Sequence, residues 1–559
     1  MSRLPAATCH PRVKQLSCLP PPPLPHDHGR QRQLVAVVIL HGKRLGRRAV
    51  DDGEQSRTGE ALSVPTLGAG LSRRTPTGKA VPVPPPSQLA LLNTLIIHPM
   101  HTTRAEKAEH LNVSGLALDY LRNLLAIVGP INADCRAAFQ FCTMPRWGRR
   151  SGYASHDSDS DMSDGEAGRD HDRVRGRMAN EASVWSRGQD LWTTVGWAFN
   201  TATLHPHRWR YWRVWLEYML DVLEADWGER ERLDREAHEA NGKTGDEPLT
   251  SRRDSMILMY RDQQENRQPG FKRIIKALFA DGGSLSSSSF SDVFEKEPRG
   301  PTKGSKKRKR EQVLDLDKDK FGDYFDDGST SSGISEPPTP QRPRDTRKEV
   351  SFGCLNPGLA ESVALRLRFF KLLSAATFVL RKRSELNQLY QDFTAAIKVL
   401  PLQMFSLFVT QRENPLLPET HVTITKQLFH LLLPSNYKDP RKVDPEGEAV
   451  GSLTMPMLEH CYMASPANTV GLDDNVKLSL VVENAIQLLW ICDMAVFTES
   501  FAEAAAKGIK AREAKAKKKR TGRARAETSD TLAQDMLASS GERIRVLMQA
   551  VEMSADKPH

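Results

Sequence analysis

The chain is 559 residues long, with 79 basic against 69 acidic residues, a net charge of +10, 35 prolines, 36 glycines and a mean hydropathy of −0.50. That length suits two or three domains, and that composition excludes one apolar core running through all of it. Seven scattered cysteines with no CxxC pair (Cys9, Cys18, Cys135, Cys142, Cys354, Cys461, Cys492) exclude a disulfide framework and a zinc ribbon, and point to free thiols.

Residues 1–86 are basic and proline-rich, which keeps backbone extended and solvated, so a disordered tail is expected. Its apolar run, 34–40, is too short for a membrane helix and too late for a secretory signal. Few acids precede Asp51, as in a mitochondrial presequence, but the prolines break the amphipathic helix such a leader needs. Cys9, His10, Cys18, His26 and His28 match no common zinc-finger spacing.

A small helical segment is expected over 87–145. Leu89, Leu92, Leu95 and Ile96 mark a helix stopped by Pro99, and Leu116 to Val128 a second ended by Gly129 and Pro130, with a third over 133–141. An acidic Ser/Asp linker fills 146–180. There Ser158 and Ser163 each have an acid three places on, the pattern acidophilic kinases prefer.

Seven of the nine tryptophans fall in 181–283. Trp209, Trp212, Leu216, Met219, Leu223 and Trp227 recur at helical spacing, a second row runs through Tyr211, Trp215, Tyr218 and Val222, and Arg213 and Glu217 are placed for an i, i+4 pair. A helix apolar on two faces belongs between other helices, the first being 191–204 across the turn at His205 and Pro206. The run 207–213 also has the aromatic and basic character of a single-strand nucleic-acid platform. Glu217, Asp221 and Glu224 oppose phosphate there, so buried core is the preferred reading. Beyond it, 229–246 reads as an exposed charged segment. A further helix around Phe271 to Phe279 carries Lys272, Arg273 and Lys276 on a solvated face.

A second disordered linker, 284–350, holds the most legible short motifs. Lys306, Lys307, Arg308, Lys309 and Arg310 have the form of a nuclear import signal, whose receptor grips extended cations one by one, the alternative being a nucleic-acid tail. Val313, Leu314, Asp315 and Leu316 resemble a SUMO-interacting motif, which adds a strand to the modifier's sheet. Asp315, Asp317, Asp319, Asp323 and Asp326 imitate a calcium loop, but Lys320 stands where that loop needs glycine. Thr339, followed by Pro340, fits proline-directed kinases.

Residues 351–508 form the largest apolar segment. Leu365 to Leu380, Leu386 to Leu400, 402–409, 424–433, 455–463 and 476–497 each read as a helix. Glu483 and Asp493 argue against membrane insertion of the last. A basic segment, 509–530, adds Lys515, Lys517, Lys518, Lys519 and Arg520 as a second cluster, with Lys510 and Arg512 beside it. A short helix and tail, 531–559, close the chain.

The expected fold is therefore mainly α, as irregular helical-hairpin arrays, solenoid-like or a bundle, separated by long disordered linkers. No Walker loop, GxGxxG, GxSxG, HExxH or kinase triplet occurs, and neither a cofactor nor a metal is expected. These features suggest a non-enzymatic nuclear scaffold or adaptor, partnered by proteins of a nuclear complex and by the import receptor, with no membrane contact. The alternative is a DNA- or RNA-binding nuclear protein that uses the basic clusters and the tryptophan segment.

Overall fold

A computed structural model describes residues 83–141, 174, 176–240, 250–265, 271–297, 356–380, 383–410, 414–517 and 527–555. Among them every regular element is helical, which bears out the mainly-α expectation. The principal helices are α1 (Pro86–Ile97), α2 (Ala108–Ile127), α3 (Leu191–Leu204), α4 (Pro206–Ala240), α5 (Met256–Glu265), α6 (Lys272–Leu278) and α7 (Pro357–Val379). They are followed by α8 (Arg383–Lys398), α9 (Leu402–Val409), α10 (Pro418–Leu432), α11 (Leu472–Ile491), α12 (Glu499–Lys517) and α13 (Glu527–Ala555). Proline in the first turn of α1, α7 and α10 starts those helices where a missing N–H costs nothing. Asp190 caps α3 by accepting the Thr193 N–H at 2.7 Å, and Asn356 caps α7 by accepting that of Gly358 at 2.9 Å.

The tryptophan hairpin behaves as its spacing predicts. Trp192, Trp212 and Trp215 are wholly buried, and Arg213 pairs with Glu217 at 3.2 Å. Helix α4 is packed by α3, by α1 and by α7, the several-sided cover that its two apolar rows require. The two tryptophans of the 207–213 run, Trp209 and Trp212, are buried and have no open face for a base to stack on, while His207 and Tyr211 are half-buried, the latter under Arg210.

α4 also runs further than expected, through Ala240. The charged stretch from 229 is not all solvated, because two of the helix's acids cap its successors. Asp226 accepts the Met256 N–H at 2.8 Å, and buried Asp234 accepts those of Ser251 at 2.7 Å and Arg252 at 3.1 Å. Sequence spacing alone does not register such long-range caps. Arg273, expected in solvent, reaches Thr193 at 2.6 Å and Asp190 at 3.3 Å. The expected helix at 133–141 is a single turn, Cys135–Ala138.

Residues 284–297, read as the start of a linker, are folded. A short helix, Ser284–Ser289, leads to Phe290, Val293, Phe294 and Glu297, all buried. α7 joins the C-terminal helices to this body. Its fully buried Arg366 donates to the carbonyls of Leu278 and Ala280 and lies 4.1 Å over the Phe199 ring. Arg368 binds Asp221 at 2.8 Å and Glu224 at 2.6 Å on α4. Phe378, expected among the buried residues of α7, is 69% exposed, since it falls in the last turn on the face away from its neighbours.

In the C-terminal half α11 is the central helix, packed by α9, α10, α12 and α13. Ser479 meets Ser540 at 2.9 Å and Glu483 takes Arg543 at 2.6 Å, so α11 and α13 run parallel and α12 returns between them. The helix closing the chain, expected as a short appendage from 531, is 29 residues long and part of this core. Residues 455–463, expected as one α-helix, start as Met455–Met457 and widen into a π-turn, Leu458–Met463.

Helix α12 presses on that π-turn at Gly508, where an added Cβ would lie 2.0 Å from the Met463 carbonyl oxygen. Backbone on both sides cannot yield. Gly508→Ala is expected to cost at least about 2–3 kcal/mol, visible as a lower urea midpoint with an unchanged slope.

Candidate interaction surface

Most sequence motifs fall outside the described residues. These are Lys306, Lys307, Arg308, Lys309 and Arg310, the motif Val313, Leu314, Asp315 and Leu316, and Ser158, Ser163 and Thr339. So do the calcium-like aspartates, the N-terminal Cys/His set, and Lys518, Lys519 and Arg520 of the second cluster. Lys517 is the last residue of α12. Lys515 is described, and its ammonium donates to the Ala467 carbonyl.

Arg512, expected beside that cluster and open to phosphate, is instead wholly buried and donates to the Met463 carbonyl at 3.0 Å. It sits on the face of α12 that packs against the π-turn, and burial pulls its guanidinium down to about 10. Among the cations of α12 whose side chains are described, Lys507 and Lys510 are exposed.

The strongest internal cluster of charge surrounds Glu297. Its carboxylate accepts from Arg208 Nη2 at 2.7 Å and Nε at 2.9 Å, from Trp212 Nε1 at 2.6 Å, from Trp197 Nε1 at 3.0 Å and from the Phe294 N–H at 3.2 Å. Arg208 spends its remaining donors on the Ile97 carbonyl at 2.6 Å and on Thr102 at 2.6 Å. Both side chains have zero exposure, so this pair ties α1, α3, α4 and residues 294–297 together and meets no substrate.

Two of the three described thiols are enclosed as well, and the third, Cys492, is exposed. Burial raises the Cys135 thiol to about 12 and the Cys461 thiol to about 11, which makes poor nucleophiles of both. Burial and the neighbouring His101 and Arg208 cations push His98 down to about 3, while burial, then His110, brings His101 to about 4. A cavity beside His421, Thr425 and Asn484 has a volume of about 10 Å³, at the lower limit for a single water. The described cysteines are free thiols, as expected, and no group of three metal-ligating side chains occurs among the described residues.

No known protein family matches the chain, and no curated protein or solved structure matches it either.

What the described surface does offer is one apolar end. Five exposed large apolar residues gather there: Trp490 (43%), Ile491 (78%), Met494 (45%), Val496 (63%) and Met553 (69%). The first four end α11 and form the turn into α12. The parallel register of α11 and α13, fixed by Glu483 and Arg543, brings Met553 to the same end. Asp493 makes the turn in the left-handed region, at φ 55°, and the Met494 N–H closes it on the Leu489 carbonyl at 2.8 Å.

Apolar content predicts one buried helix over 476–497, Cys492 included, whereas Trp490, Ile491, Cys492, Met494 and Val496 are exposed. A sign of the difference was available: the buried stripe Leu478, Val482, Ala485 and Leu489 points next to 492 and 493, so Trp490 and Ile491 fall off it. No helix among the described residues is long and apolar enough to cross a membrane.

Proposed function

We propose that this protein is a non-enzymatic nuclear scaffold or adaptor, a helical body that docks partner proteins and carries its import signals and phosphorylatable sites on connecting segments. The exposed apolar end of α11, α12 and α13 carries the reading. Large apolar side chains grouped in the open mark interaction sites more often than they occur by chance, and a central tryptophan is the usual anchor. The nuclear address rests on the five cations from Lys306 to Arg310 and the second cluster from Lys515 to Arg520.

Affinity purification of the full chain from its own cells, with and without nuclease, tests the scaffold. A defined protein set that survives nuclease is expected. A preparation holding only nucleic acid, released steeply by salt, would instead favour the nucleic-acid reading. Replacing Lys306, Lys307, Arg308, Lys309 and Arg310 by alanine, with and without the second cluster, is expected to leave the protein in the cytoplasm. Nuclear residence of the doubly altered chain would remove the address.

A further inference from the structure

We infer that the apolar end of α11, α12 and α13 docks a partner protein segment that is apolar on one face and carries lysine or arginine beside it. The inference rests on the scaffold reading and adds the chemistry of what is docked.

Charge carries the argument. Around Trp490, Ile491, Met494, Val496 and Met553 stand Asp493, Glu499, Glu503 and Glu552, all exposed. Residues 488–506 and 547–555 contain no lysine or arginine, in a chain whose net charge is +10. The first cation along α12 is Lys507, one turn past Glu503.

Helix stability accounts for only part of those acids, since Glu503 is spaced i, i+4 from Lys507 and the left-handed backbone at Asp493 suits aspartate. A helix C-terminus carries about half a negative charge, and cations are favoured in its last turn. α11 and α13 both end here, and neither has a basic residue in its last turn. Asp493 follows the end of α11 and Glu552 lies in the last turn of α13, so both acids sit where the dipole opposes them. Glu499, in the first turn of α12, is the only one of the four that the dipole favours. Glu499 and Glu503 are four apart, a like-charge pair that weakens a helix, and Lys507, four beyond Glu503, offsets it. Negative potential is thus concentrated around an apolar patch, at Glu552 against the dipole of its own helix, and is complementary to a basic, amphipathic partner.

A photo-crosslinking side chain at position 491 of the full-length protein, expressed in its own cells, tests this, with position 450, at the end of the short helix Pro445–Val450, as the control. Val450 is also exposed and apolar. Peptides joined at 491 are expected to come from other proteins and to hold lysine or arginine next to apolar residues. Glu499→Lys with Glu503→Lys is expected to cut that crosslink at least ten-fold, as is Trp490→Ser, each with an unchanged circular-dichroism melt. Crosslinks to nucleic acid, to a second copy, or to acidic or uncharged peptides would overturn the inference. So would a yield indifferent to charge reversal, or no crosslink at 491. If partners still co-purify through nuclease while 491 touches none of them, the docking chemistry falls and the scaffold stands; if none co-purify, the scaffold falls first.

Discussion

Glu297→Ala is expected to lower the stability of the fold by about 3–5 kcal/mol, the usual cost of stripping one partner from a buried ion pair. Both members have zero exposure, so water cannot replace the lost carboxylate, and the Arg208 guanidinium is left charged inside the protein. The indole N–H groups of Trp197 and Trp212 lose their acceptor in the same step. A protein of ordinary stability, about 5–15 kcal/mol, would keep only part of its margin. Urea unfolding followed by tryptophan fluorescence reads the loss, because those two rings report on the site. Arg208→Met with Glu297→Leu separates charge from packing. If the unpaired charge dominates, this double variant recovers most of the stability, since apolar replacement of a whole buried pair is often neutral. It does not recover all of it, as the two indoles still lack an acceptor. A single Glu297→Ala variant within about 0.5 kcal/mol of wild type would show that residues 294–297 do not close the core.

Glu297 also shows where sequence reading reached its limit. Helices were legible wherever one segment supplied its own pattern: the rows through Trp209 and Trp215, the helix over Leu402–Val409, and the stop at Gly129 with its φ of 81°. What stayed hidden were side chains whose partners lie far away in the chain. Glu297 follows a serine-rich stretch of linker composition, and distant partners make it a core residue: Arg208, 89 positions earlier, with Trp197 and Trp212. Arg512 sits among lysines and looked like one of them, until the π-turn at Leu458–Met463 brought a carbonyl over it. The interaction surface was hidden for a related reason. Apolar content at Trp490 and Ile491 says burial, whereas the phase of the α11 stripe sets them off the buried face. The short cationic and phosphorylation motifs are the opposite case, read from adjacent residues alone, and apart from Lys515 and Lys517 they lie outside the described residues.

Acid is expected to unfold this protein well before its carboxylates titrate in full, through its histidines. Burial first, then the His101, Arg208, Arg104 and Arg187 cations, hold His98 at about 3. Burial and His110 hold His101 at about 4, and burial alone holds His421 at about 4, with its Nε2 3.1 Å from Asn484. An unfolded imidazole takes its proton near 6.5, so between there and pH 3–4 the unfolded chain binds protons that the folded chain refuses. Stability therefore falls as pH falls through that window. At pH 5 each of the three costs about 2 kcal/mol relative to neutral pH, on the order of 6 kcal/mol together, comparable with the whole margin of a typical fold. One group works the other way: burial raises the Asp226 carboxyl, so its protonation relieves a cost as acid is added. A single carboxyl does not offset three imidazoles. Lower still, Glu361 adds to the loss, because Arg213 and Trp209 hold its carboxylate below the usual range and that help disappears on protonation. Urea midpoints at pH 7.5 and pH 5.0 measure the sum, and His421→Asn should remove about a third of the difference between them. Equal midpoints at the two pH values would mean that the imidazoles accept protons in place, and that the enclosure around His98, His101 and His421 opens to water without loss of the fold.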